Sequence, residues 1–548
     1  MKLYAGILIL LCTFANAVAS ASAHSADSGE LCLFASAAAL TFARPADSGE
    51  PGVFANAAAS EPLGKNDYAM AAEYFKQIEK VFEKDGGKIW GKNFKGTPIF
   101  LVDPRTHEMI ANCSDSANTS QLAKKQQFDL SSNCGDSANT LQLTHKTAKE
   151  AGGSVGCDSA NTLQRTPEGV YKGIMPMKGN PANSVAEYGG KRWVMAMWPL
   201  PEDEFVRNVL LSHETFHYFQ PMLGLDPSPA LCNHLDEMYP RLYLKLEWNA
   251  LEAAVNAKNK RKMKEAVSHA LAFRAKRLSQ AANPSEAEKN ESEFLILEGL
   301  PEYSAYKMCC RDDRQMRKEI HKSRAKHFGN DSFVYSFAYH SGLAYGYLLD
   351  QAAKHSFQKG HFTSCRKVHL LDQAAKHSGG QTKDWRRSLS KESSLPDMLR
   401  ARMDIKVPDN VDAFIGDYGY DSLYAFEHER DAKIKLQKEA YVSAFERDTV
   451  LEISFSSISM GFKPAQVQSL GALGTVYPNI RLSSDFGLLE VKDGGCLMSN
   501  GWQKATVPAV GIKVDGDKIY TDNWTLTLSP GHKLSPPSAK DPLKYTLE

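Results

Sequence analysis

The chain has 548 residues, 43% of them hydrophobic, with 65 Lys and Arg against 64 Asp and Glu and a formal net charge of +1. That length supports a large core spread over roughly two to four domains. The near balance of charge argues against the strong fields that draw nucleic acid or an acidic membrane surface.

The N-terminus reads as an export signal. Lys2 supplies a positive start, Tyr4 to Phe14 is an apolar run too short to span a bilayer, and Ala15-Asn16-Ala17 and Ala17-Val18-Ala19 have the small-x-small form of a cleavage site. Residues 1–19 are therefore expected to be a signal peptide and the protein to be secreted or periplasmic. No later run of about 18 apolar residues predicts a membrane span. Residues 20–65 form an Ala/Ser-rich leader with a 20-residue repeat, seen in Phe14-Ala-Asn-Ala, Phe34-Ala-Ser-Ala and Phe54-Ala-Asn-Ala, and are expected to be poorly ordered.

Residues 66–84 predict an amphipathic helix with Phe75, Ile78 and Phe82 on one face and Asn66 or Asp67 as cap. Strands are expected over 97–103, 169–175 and 192–198. Between the first two, Asp-Ser-Ala-Asn-Thr recurs from Asp115, Asp136 and Asp158. Such polar copies cannot stack a core, so the stretch near 113–165 reads as a loop insertion, which costs little closure entropy. A second duplication, Leu-Leu-Asp-Gln-Ala-Ala-Lys-His-Ser at 348–356 and 370–378, marks another insertion near 357–378. Ten cysteines form no Cys-x-x-Cys pair, which argues against a cysteine-built zinc site.

Pro201-Glu202-Asp203-Glu204 opens a helix, with acids in the first turn where the backbone dipole favours them, and Gly224 offers a stop. Further helices are expected over about 236–280, 290–308 and 421–446. From about 449, alternating Leu451, Ile453 and Phe455, then Trp524, Leu526 and Leu528, with a turn at Asp515-Gly516, predict short strands. The fold class is α+β: a small mixed sheet and a mainly helical lobe over 66–445, then a β-rich C-terminal domain over 446–548, resembling a sandwich.

The opening helix carries His213-Glu214-Thr215-Phe216-His217. Residues four apart share a helix face, so both imidazoles can bind one Zn²⁺, and Glu214 between them is placed to act as general base toward an activated water. Such a site needs a third protein ligand. Gln220 and Leu223 stand where the metzincin pattern requires Gly and His, which excludes that form. Asp236, Glu237 and Glu298 remain as candidates.

Glu298-Gly299-Leu300-Pro301-Glu302-Tyr303 resembles the Asn-Glu-Gly-Phe/Leu-Ala-Glu-Tyr segment of gluzincin metallopeptidases, the superfamily that includes the M1 aminopeptidases. The resemblance covers about 200–345. It implies a zincin-like catalytic domain with one Zn²⁺ per chain, Glu298 as third ligand beside His213 and His217, and Glu302 orienting a zinc histidine. Two residues depart from the pattern: Leu297 replaces Asn, and Pro301 replaces Ala and is expected to kink the helix. Tyr339-His340-Ser341-Gly342 resembles the Tyr-x-Lys-Gly segment, which implies Tyr339 as oxyanion donor, with Tyr335 and His340 as rivals. His234 is a further histidine able to line a cleft. No Gly-x-Met-Glu-Asn segment is present, so endo- and exopeptidase action stay open. Strand 192–198 is either an interior strand or an edge that pairs with an extended peptide. The expected function is hydrolysis of a peptide or protein by metal-activated water. The alternatives are a non-catalytic zinc-binding scaffold and a zinc hydrolase of a non-peptide bond.

Overall fold

The computed structural model describes residues 36–37, 40–43, 62–115, 163–176, 181–228, 231–354, 384–456 and 458–548. The signal segment and the second duplication at 357–378 lie outside the described residues, as does most of the first insertion. The architecture is α+β, with the helices gathered between a mixed sheet and two C-terminal sheets.

Helix α1 (Lys65–Asp85) buries Phe75, Ile78 and Phe82, as their spacing predicts. Its start is Gly64, whose N–H donates to Asp67 at 2.9 Å, so Asp67 acts from inside the first turn. The first sheet contains β1 (Ile99–Val102), β2 (Glu108–Ala111), β3 (Gln164–Arg165), β4 (Tyr171–Ile174), β5 (Ser184–Tyr188) and β6 (Lys191–Met197), in the order β3-β4-β2-β1-β6-β5. Strand β6 lies between β1, to which it is parallel, and β5, to which it is antiparallel. It is therefore interior and has no free edge for a peptide, which corrects the edge reading. Its run Trp193-Val-Met-Ala-Met197 is buried throughout, the signature of a strand covered on both faces. The first insertion joins β2 to β3 and β4, which pair with one another, and its ends are tied where Asp115 Oδ2 accepts the Leu163 N–H at 3.2 Å.

Helix α2 (Glu204–Phe219) follows β6; α3 (Met238–Val255) and α4 (Lys260–Leu278) come next. Then α5 (Pro284–Phe294) passes through a π-turn at Leu295–Gly299 into α6 (Leu300–Cys309). Helices α7 (Asp313–Phe328), α8 (Phe337–Lys354), α9 (Leu395–Met403) and α10 (Tyr420–Glu446) complete the lobe. Pro301 stands in the first turn of α6, directly after this π-turn.

After α10 come short strands in two sheets, whose inner faces meet through Phe462 on Tyr477 (ring centroids 4.8 Å) and Phe455 on Phe486 (6.2 Å). Asp515-Gly516 makes the expected turn, with Gly516 at φ +60°. Within the leader, Ser36–Ala37 and Leu40–Ala43 are strands, the second running parallel to Ser459–Phe462. The sequence Leu-Thr-Phe-Ala suits a pleated strand.

A buried ion network fixes α5. Arg277 donates to Glu291 at 2.7 and 3.0 Å and also reaches Glu247; His234 meets Glu291 at 2.8 Å, and Tyr345 donates to Glu247 at 2.7 Å. Burial raises the Glu291 carboxyl, but Arg277, His234 and Arg274 outweigh it and hold it far below the ordinary value of 4.5. A depressed carboxyl contributes stability that is present above the ordinary value and lost as pH falls beneath it. Arg277→Met leaves two carboxylates buried without their main partner, and is expected to lower stability by about 3–5 kcal/mol. Urea midpoints across pH 3–7 check this; an unchanged midpoint at pH 7 refutes it.

Candidate metal centre

Asp203 caps α2 by accepting the Val206 N–H at 2.9 Å, and the helix from Arg207 to His217 is buried on every side. Both histidines thus face the interior. Glu298 comes from the π-turn, which the α5–α6 helix runs past α2 and α8, and His213, His217 and Glu298 all have no exposed surface.

Their donor atoms converge. His213 Nε2 lies 3.1 Å from His217 Nε2 and 3.4 Å from Glu298 Oε2, and His217 Nε2 lies 3.7 Å from Glu298 Oε1. The outer ring nitrogens are both engaged. His213 Nδ1 is 3.0 Å from Glu302 Oε2, and His217 Nδ1 is 2.8 Å from Gln220 Oε1. Both partners are oxygens that accept, so each Nδ1 carries a proton; with both rings neutral, each would turn an Nε2 lone pair inward. Two lone pairs and a carboxylate then face one another, an arrangement that requires a positive charge among them. Burial opposes charge on His213, but the Glu298 and Glu302 carboxylates outweigh it and push its pKa up to about 10. Glu298 is likewise raised by burial, but His217 and His213 hold it below the usual carboxylate range.

The same three residues fit a metal ion, their donor atoms lying within 4.8 Å of one another. Four ligands at about 2.0–2.1 Å around tetrahedral zinc sit about 3.4 Å apart. The observed separations of 3.1, 3.4 and 3.7 Å bracket that spacing.

The other candidates fall in different places. Asp236 is buried, accepts the Phe333 N–H at 2.7 Å and lies 3.5 Å from Arg241, so it serves the fold. Glu237 is exposed at the start of α3. Neither joins the cluster. His234 is committed to Glu291. Glu214 is fully buried on the ligand helix, and its charge is felt at His213. Tyr339 on α8 is adjacent, its ring centroid 6.0 Å from that of His213. Its rivals lead elsewhere: the Tyr335 hydroxyl lies 3.2 Å from that of Tyr477 in the C-terminal strands, and His340 packs edge-on to Trp248 at 5.1 Å.

Two neighbours escaped the sequence reading. His327 on α7 stacks on Tyr339 at 5.7 Å and donates through Nδ1 to the Ser323 carbonyl at 2.8 Å. The spacing Met316, Ile320, Ser323, His327 marks a buried helix face and was the available signal. Gln220 was read only for what it excludes, yet it holds His217. No protein-family model, curated protein or solved structure matches the chain.

Proposed function

We propose that the chain is an exported zinc-dependent hydrolase of peptide bonds, with a gluzincin-type zincin domain over about 66–445 and a sandwich-like C-terminal domain over 446–548. The observation that carries this reading is the convergence of Glu298, from the π-turn, with His213 and His217, from a helix that also carries Glu214. His213, His217 and Glu298 would hold zinc, which would supply Lewis acidity to an attacking water and to the substrate carbonyl. Glu214 takes the proton of that water and delivers it to the leaving amine. The Tyr339 hydroxyl donates to the negative charge that develops on the carbonyl oxygen. Glu302 holds His213 in its Nδ1–H form.

One observation favours a second reading, a zinc-holding protein without turnover: the three ligands and Glu214 are fully buried. The discriminating experiment measures zinc content and cleavage of a mixed peptide pool for the wild type and for His213→Ala, His217→Ala, Glu298→Ala and Asp236→Asn. The peptidase reading expects about one zinc per wild-type chain, lost in the first three variants and kept in the fourth, with cleavage following zinc. Zinc without cleavage selects the scaffold or a non-peptide substrate. Folded wild type that takes up no zinc ends both readings.

A further inference from the structure

Residue 301 is a proline, and a proline has no N–H to give a helix. In an α-helix that N–H would go to the carbonyl of Leu297, four residues back; in the π-turn it would go to Ile296, five back. Gln220 Nε2 donates to both of these, at 2.9 Å to Ile296 O and 3.2 Å to Leu297 O. Leu300 N–H, one residue earlier, reaches the Leu295 carbonyl in the π register.

Those carbonyls only accept. They fix which end of the Gln220 amide faces them, and the amide oxygen must then face His217 Nδ1, 2.8 Å away. The amide is itself buried, and its own backbone N–H closes the last turn of α2 on Phe216 O at 2.8 Å. A rigid path therefore runs from the proline's missing N–H to the protonation of a ligand histidine, and it bridges the two helices that supply all three ligands.

We infer that Gln220 is a positioning residue which keeps His217 as the Nδ1–H tautomer, its amide oriented by the Ile296 and Leu297 carbonyls, one of which would have taken the N–H that Pro301 lacks. This inference rests on the metal-site reading above and adds a residue that the gluzincin resemblance does not assign.

The test is zinc affinity of the full-length protein, by competition with a chromophoric chelator, for the wild type and for Gln220→Leu, Gln220→Glu, Pro301→Ala and His217→Ala. Gln220→Leu should weaken zinc by roughly 10–100-fold, as loss of an outer partner does. Gln220→Glu keeps an acceptor for Nδ1–H but loses the N–H that meets the two carbonyls, so it should recover only part of that loss. Pro301→Ala offers a competing N–H and should weaken zinc in the wild-type background but not in Gln220→Leu. Cobalt(II)-loaded protein gives an independent readout, since the visible band should shift in Gln220→Leu and return part of the way in Gln220→Glu. Long-range proton–nitrogen NMR of ¹⁵N-histidine in zinc-loaded wild type needs no variant and should find His217 protonated at Nδ1. Gln220→Leu binding zinc within twofold of wild type, while His217→Ala binds none, overturns the inference and leaves the metal site standing. His217→Ala binding zinc like wild type overturns the metal site itself.

Discussion

Glu214→Gln is expected to bind zinc as the wild type does and to hydrolyse a susceptible peptide about 100- to 10,000-fold more slowly. The amide has the shape of the carboxylate, so the buried space around position 214 stays filled and α2 keeps its packing. It cannot take a proton from water, so the loss falls on the chemical step. The reduction should appear in kcat with little change in KM. Equal zinc and equal kcat in the two proteins would remove Glu214 from the mechanism. Loss of zinc in the variant would instead make Glu214 part of the binding site.

Gly342→Ala is expected to damage both stability and metal binding. Gly342 on α8 meets Gly299 at the end of the π-turn, backbone to backbone. A Cβ on Gly342 would lie 2.1 Å from Gly299 Cα, and 2.5 and 2.6 Å from its carbonyl carbon and oxygen. No rotamer change relieves a contact with backbone, so α8 must withdraw from the turn. Overpacking of this kind costs about 1–3 kcal/mol and more where the backbone cannot move. Gly299 adjoins Glu298, so the displacement carries the third ligand with it, and zinc affinity should fall together with the urea midpoint. Gly329→Ala is the control, because a Cβ there meets nothing within 4 Å. A Gly342→Ala protein with unchanged midpoint and zinc affinity would refute the close-packing argument.

The ligand helix was legible because its chemistry lies in short-range spacing, His213 and His217 being one turn apart; its start was read at Pro201, whereas the helix begins at Glu204 with Asp203 as cap. Glu298 lies 81 residues beyond His217 in sequence, and only its resemblance to a known segment singled it out from Asp236 and Glu237. Spacing alone could not, since which acid reaches the histidines is decided by how helices α5 and α6 cross α2. Helix α8 was missed for a related reason. From Phe337 to Ala352 every residue is buried, so it has no polar face and no amphipathic period to read. The interior position of β6 was written in its unbroken apolar run, a stronger signal than its place before the ligand helix. The role of Gln220 was not legible at all, because it depends on two carbonyls 76 and 77 residues away in sequence.

The tie between Asp115 and Leu163 also bears on how this gene can change. Both ends of the first insertion are held by paired strands of one sheet, so the sheet's register is indifferent to the number of residues between them. Each doubling of that length costs only about 0.6 kcal/mol in closure. Copies of Asp-Ser-Ala-Asn-Thr gained or lost between those ends would therefore change the closure cost only slightly.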